Sequence, residues 1–327
     1  MVREWNFQIQ RQLSNDVVFA INYAGNSTTR LPYANAWPNA YDEYGLYPGV
    51  KGIPSAEPVP NYLIFTQYQS GAIGNYNGVS FILTKRFSHA ISAHASYTWS
   101  HELDECSNGC LFSDGQSDWV GAQINPLNLR VNNYGNGDYD IRQNFSGDFV
   151  INPTFHPGNA ALGHIVNGWQ FSGKLFWRSG LPFSVTDSNP ALGNGGGLIL
   201  ATPLGKGWGG LSCGEAAAGN PGVATPCINS NVYLDSGAAT FNGFSQWSPA
   251  TRNQLFGPHY FDLDLNLYRN FKIAERANLA FGIQAFNALN HPTFSAPSAA
   301  INSSSGGQIS STLNAARIIQ LALKFQF

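Results

Sequence analysis

The chain has 327 residues, a formal net charge of −2 and only 11% charged residues, beside 43% hydrophobic and 13% aromatic ones. Soluble domains carry about 25% charge, so the polar side here is built from Asn, Ser, Gln, Thr and Gly. Near-neutrality gives nucleic acid no electrostatic footing, and no run approaches the ~18 apolar residues of a membrane-spanning helix.

Residues 5–13, WNFQIQRQL, alternate Trp5, Phe7 and Ile9 with Asn6, Gln8 and Gln10. After a turn at Ser14-Asn15-Asp16, Val17, Phe19, Ile21 and Tyr23 alternate with Val18, Ala20 and Asn22, which predicts a β-hairpin. Residues 25–74 read as a long connection, with Tyr62–Tyr68 extending the next strand. The second hairpin sets Val79, Phe81 and Leu83 before a turn at Ser88-His89, then Ile91, Ala93, Ala95, Tyr97 and Trp99 opposite Ser92, His94, Ser96, Thr98 and Ser100. A loop over 103–140 follows. Phe145, Phe149 and Ile151, then Trp169, Phe171, Leu175 and Trp177, form a third pair around a turn near 153–166. Beyond the longest loop, 181–257, come Phe261, Leu263, Leu265 and Leu267, then Leu279, Phe281, Ile283 and Ala285. Loop 290–315 leads to the closing strand RIIQLALKFQF, Arg317 to Phe327.

Short connections thus alternate with long ones, and each strand has the ~9–11 residues that cross a bilayer when tilted. With so little charge, this pattern predicts an all-β, antiparallel transmembrane barrel with short periplasmic turns and long extracellular loops. A soluble β-sandwich has turns at regular spacing instead. Nine strands is an odd number, whereas bacterial single-chain barrels have an even one. The expectation is therefore an incomplete barrel, the C-terminal portion of a larger one over 1–327. The start, MVREWNFQIQRQL, has no apolar signal core.

WNFQIQRQL with VVFAINYAGN, NYNGVSFILTKRFS with SYTWSHELDE, NGWQFSGKLFWRSGLPFSV, FGPHYFDLDLNLYRNF, LAFGIQAFNALNHPTFSAP and RIIQLALKFQF resemble, in order, the C-terminal region of TonB-dependent outer-membrane receptors. The similarity is to the Oar-like branch that carries a carboxypeptidase-regulatory-like domain. It implies a barrel of about 22 strands around a plug, with the plug, the TonB-contacting segment and the signal peptide outside this sequence. It further implies a Gram-negative outer-membrane location and uptake of a scarce extracellular substrate powered through the TonB complex. The partners are then outer-membrane lipid, the barrel assembly machinery and TonB, without nucleic acid. A surface-exposed structural or adhesive β-protein is the alternative.

Several residues invite chemistry. HELDECSNGC gathers His101, Glu102, Asp104, Glu105, Cys106 and Cys110 but lacks HExxH spacing and paired CxxC motifs. Loop disulfides among Cys106, Cys110, Cys213 and Cys227 are the simpler reading, with the pairing open. A Cys213–Cys227 bond would close a loop of about 15 residues, a constraint of roughly 3 kcal/mol. Asp262 and Asp264 share a strand face, as a glycosidase's carboxylates might, but Asp148, Lys174, Arg178 and Lys324 fall on the same polar side. Mixed charge suits a lumen wall, so neither catalysis nor a cofactor is expected. Gly193–Gly197 lacks the Lys-Ser/Thr of a phosphate loop. Trp5, Tyr97, Trp99, Trp169 and Trp177 read as an aromatic girdle near strand ends, and Phe325 and Phe327 as a C-terminal assembly signal. Loop aromatics Tyr41, Tyr44, Tyr47, Trp119, Trp208 and Trp247 are too common a feature to name a ligand.

Overall fold

The computed structural model describes residues 1–35, 38–42, 51–62, 67–107, 127–128, 130–190, 198–202, 240–241, 244–245, 250–274, 277–300 and 303–326. Alternation becomes strand wherever it was read. The long strands are β1 (Val2–Gln12), β2 (Val17–Asn35), β3 (Gln67–Ser88), β4 (Ile91–Asp104), β5 (Gln143–Ile151), β6 (Trp169–Arg178), β7 (Tyr260–Ala274), β8 (Ala277–Phe286) and β9 (Ile318–Gln326). Each pairs antiparallel with its neighbour in sequence, giving one meander. Among the described residues β1 pairs only with β2 and β9 only with β8, so the sheet is not closed.

Register makes the two faces continuous. Ile9, Ile21, Phe81, Tyr97, Phe145, Trp177 and Phe261 lie side by side across seven strands. Nearer the short turns, Ile91, Ile151, Phe171, Leu267, Ile283 and Leu321 form a second apolar row. Directly opposed residues sit about 4.5–5.5 Å apart, so these rows are unbroken stripes. On β9, Leu321 is 67% exposed and Leu323 71% exposed. Such a surface needs an apolar solvent. From Phe261 to Phe271 on β7, at roughly 3.3 Å per residue and the usual tilt, the stripe covers about 25 Å of membrane.

The other face is polar. Gln8, Asn22, Ser80, Thr98, Asn144, Arg178 and Tyr260 form one of its rows. Tyr268 lies flat over its cross-strand partner Gly282, where a Cβ would fall 2.3 Å from the ring. Glycine there lets the aromatic cover the backbone.

One rim carries the connections 13–16, 89–90, 152–168 and 275–276; the other carries 36–66, 105–142, 179–259 and 287–317. The alternation of short and long holds, and the 25–74, 87–90 and 270–277 connections are shorter than expected. The 25–74 connection loses both ends, because β2 runs to Asn35 and β3 starts at Gln67, with a register shift around Arg30 (φ 58°). That bulge bends the extension, under which Tyr33, Ala72, Leu31 and Cys106 make a small core of their own. The 103–140 loop holds helix α1 (Arg130–Asn133) and a two-residue strand, Gly135–Asn136, paired with the end of β4. The 152–168 turn holds helix α2 (Ala160–Val166).

Candidate functional site

The predicted lumen residues share the polar face. Asp148, Lys174 and Asp264 stand in one row with His94, whose Nδ1 is 3.7 Å from Asp148 Oδ1. Asp262 and Arg178 lie in the next two rows toward the long-loop rim, and Lys324 lies far toward the short turns beside Ala280. Arg178 rests over the Tyr260 ring at 5.5 Å. The Asp264 Oδ1 accepts the Asn287 N–H at 3.0 Å, closing the end of β8. The Asp262–Asp264 pair therefore faces mixed charge, with one carboxylate already holding backbone.

That contact explains the FNALNHPTF stretch. Asn287 and Asn290 take left-handed φ values of 47° and 52°, which Asn tolerates best among residues with a Cβ. Asn287 Nδ2 donates to the carbonyls of His291 (3.2 Å) and Ala315 (2.9 Å), and Asn290 Oδ1 accepts the Arg317 N–H at 2.9 Å. Thr293 Oγ1 exchanges hydrogen bonds with the Phe261 backbone at 3.2 and 3.0 Å. The motif is a rim clasp that joins β7, β8 and the start of β9.

A second clasp lies over the end of β4 and is built around Arg252, whose side chain is 1% exposed. Its guanidinium pairs with Asp104 and with Asp138 Oδ1 at 3.0 Å, and donates to the carbonyls of Asn133 (2.7 Å) and Asp104 (3.1 Å). Burial pushes it down to about 10, still charged at neutral pH. Asp140 accepts the Glu102 N–H at 2.8 Å and Arg142 Nε at 2.5 Å. Asn253 joins Asn136, Asp138 and Ser184. Little in the sequence points to this centre: Arg252 sits in irregular chain, where no period marks a buried charge.

The HELDEC side chains do not converge. His101 meets Asn136 and Arg142, Asp104 meets Arg252, and Glu105 accepts Arg130 Nε (3.0 Å) and the Ile73 N–H (2.9 Å). Successive residues on the end of β4 point to opposite faces, which sets His101 apart from Glu102 and Asp104. Cys106 is disulfide-bonded; Cys110, Cys213 and Cys227 lie outside the described residues, as do Gly193–Gly197, Tyr44, Tyr47, Trp119, Trp208, Trp247 and Phe327. Tyr41 is described and half-buried.

Between the extended ends of β2, β3 and β4, on the polar face, is a cleft of about 280 Å³ lined by Asn26, Thr28, Tyr76, Glu102 and Asp104 among others. Glu102 is beyond the Trp99 level and outside the membrane-spanning stretch. Burial, and then the neighbouring Asp140 and Asp138, raise its carboxyl above the ordinary carboxylate range, partly offset by Arg252. The cleft offers hydrogen-bond acceptors and a carboxyl held above its ordinary range.

Trp5, Tyr97, Trp99, Trp169 and Trp177 all stand on the apolar face. Trp5 (43% exposed) and Trp99 (60%) lie toward the long loops with half-buried Tyr97 and Trp177, whereas Trp169 lies at the short-turn rim. Trp5 Nε1 donates to Tyr23 OH (3.3 Å), which donates to Asn77 Oδ1 (2.8 Å), and Tyr97 OH donates to Gln143 Oε1 (3.2 Å). Apolar rings with satisfied polar tips suit a membrane boundary.

A meander with one largely apolar face, one polar face and long loops on a single rim is the wall of a transmembrane β-barrel. The model of a known family, the outer membrane beta barrel domain, matches residues 1–320. The chain belongs to that family and is a protein of the bacterial outer membrane. Among solved structures it is similar to the outer membrane transporter YddB from Escherichia coli, with a TM-score of 0.48 and 11% identity. The match covers 100% of this chain, which spans 32% of the length of that one. No curated protein matches the sequence.

Proposed function

We propose that the chain forms part of the wall of a TonB-dependent outer-membrane receptor that takes up a scarce extracellular substrate. The observation that carries this reading is the open sheet. A lipid-facing β1 or β9 edge would leave backbone N–H and C=O groups unpaired, each costing several kcal/mol, so both edges call for further strands of a larger barrel. The ordered resemblance of WNFQIQRQL through RIIQLALKFQF to such receptors supplies the particular class. In this reading the long loops face outward and the short turns face the periplasm. The polar face contacts a plug, and TonB moves that plug to admit the substrate.

The barrel assembly machinery is the partner for the closing strand, with Phe325 and Phe327 as its recognition end. In this reading the wall has no catalytic role: Asp264 is engaged with the Asn287 backbone, and Asp148 and Lys174 beside it belong to the mixed charge of a lumen wall. The test is a nutrient panel on cells lacking the full-length gene and, separately, lacking TonB. Loss of the same nutrient in both strains supports uptake. A surface-adhesion defect that is indifferent to TonB overturns it in favour of a structural or adhesive protein.

A further inference from the structure

Three of the four connections on the short-turn rim are minimal, but 152–168 is built into a small platform. Asn167 holds Phe155 by both backbone groups, accepting its N–H at 2.6 Å and donating to its carbonyl at 2.9 Å. Helix α2 is tied down at its C-terminal end. Trp169 Nε1 donates to the Ile165 carbonyl at 3.0 Å, and the Arg269 guanidinium donates to the carbonyls of His164 and Ile165. A cation at the last carbonyls of a helix also suits its dipole.

These ties fix the side of the wall on which α2 sits. Trp169 and Arg269 are register partners on the apolar face, in a row continued by Phe281 and Leu323. Arg269 is sandwiched 5.0 Å from the Trp169 ring and 5.2 Å from the Phe271 ring. The platform therefore lies outside the sheet, at the lower border of the lipid-facing stripe. It exposes Phe155 (52%), Leu162 (51%) and Ile165 (64%), beside Phe271 (45%) and Ile273 (60%) on the wall. Leu162 and Ile165, three residues apart, share one side of the helix.

We infer that the 152–168 turn is an interfacial membrane anchor, which beds Phe155, Leu162 and Ile165 in the headgroup–acyl boundary of the leaflet at the short-turn rim. The occupant of this surface is phospholipid, because the patch continues the stripe that lipid already covers. A short apolar face lying in the interface plane, with a Trp and an Arg at headgroup level, is the arrangement by which peripheral helices hold a bilayer surface. Carbonyl partners and two ring faces satisfy Arg269 there, so its charge sits beside the phosphates with its donors engaged. The platform would set the height of this side of the barrel in the membrane.

The test places a bimane fluorophore on Ile165→Cys, or on Asn15→Cys in the minimal turn of the same rim, in the full-length protein. The protein without an added cysteine serves as the blank. The labelled proteins are reconstituted into phosphatidylethanolamine–phosphatidylglycerol vesicles, and folding is checked by heat-modifiable electrophoretic mobility. A headgroup-nitroxide phospholipid should quench position 165 at least about threefold more than position 15, and aqueous iodide should show the reverse order. Equal quenching at the two positions would overturn the inference. So would shielding of position 165 from both quenchers, which would mean that protein covers it.

Discussion

Replacing Arg252 by Met should loosen one part of the long-loop rim and leave the wall intact. The side chain is 1% exposed and pairs with Asp104 and Asp138, which are 8% and 28% exposed. Met keeps most of the volume and removes the charge, leaving two carboxylates facing a site without a cation. Breaking a buried pair in this way costs about 3–5 kcal/mol, and every 1.4 kcal/mol is tenfold. Amides held by the clasp, such as Gly137 (to the Glu102 carbonyl, 3.1 Å) and Asn253 (to Ser184 Oγ, 2.8 Å), should then lose about two to three and a half decades of hydrogen-exchange protection. Their opening is local, so amides of β5 and β6 should keep theirs. Mass-spectrometric exchange on the protein in lipid reads both. Unchanged protection at Gly137 and Asn253, or an equal loss along β6, would refute the reasoning.

In the 13–16 turn, hydrogen bonds from Lys85 (2.7 Å), Ser14 (2.6 Å) and Ser88 hold the Asp16 carboxyl well below the ordinary carboxylate range. A depressed carboxyl contributes stability that is present above its unfolded value, about 3.9, and is lost as pH falls toward the folded one. The Arg86 amide, bonded to the Asp16 carbonyl at 2.8 Å, should therefore keep its relative protection down to about pH 4 and lose it below; Asp16→Asn should abolish that step. Ile283→Arg, mid-stripe on the apolar face, should destabilise the barrel by about 2–4 kcal/mol in urea titrations from lipid vesicles. Gln284→Arg, on the polar face of the same strand, should cost far less. The β3–β4 hairpin turns on His89 and Ala90 at φ of 48° and 65°, values that favour glycine; Ala90→Gly should stabilise by about 1 kcal/mol in the same titration.

Strand positions were legible because lipid on one side and a polar interior on the other force a period of two, as in Phe261 to Leu267 of β7. The extension of β2 was not, and that of β3 was legible only at its start, where Tyr62–Tyr68 reads as added strand and the strand begins at Gln67. Between Ala24 and Asn35, and between Gln67 and Gly78, a few large apolar residues such as Leu31, Tyr33 and Ile73 are scattered among polar and small ones, so above the membrane the alternation that marks a strand disappears. Helix α2 was hidden in a stretch too short to display a helical period. The polar face could be assigned residue by residue, as for Asp148 and Lys174, but what each residue holds could not. Asp264 as the closer of β8 and His94 beside Asp148 depend on register, and Arg252 depends on how a long loop folds back over β4.

The most direct measurement is a nitroxide scan along β6, from Gln170 to Arg178, in the full-length protein in lipid vesicles. Collision with oxygen should peak at Phe171, Leu175 and Trp177, and collision with a water-soluble nickel chelate should peak at Ser172, Lys174 and Phe176, the two profiles out of phase with a period of two. Profiles in phase, or without that period, would contradict a wall with lipid on one face and a polar lumen on the other.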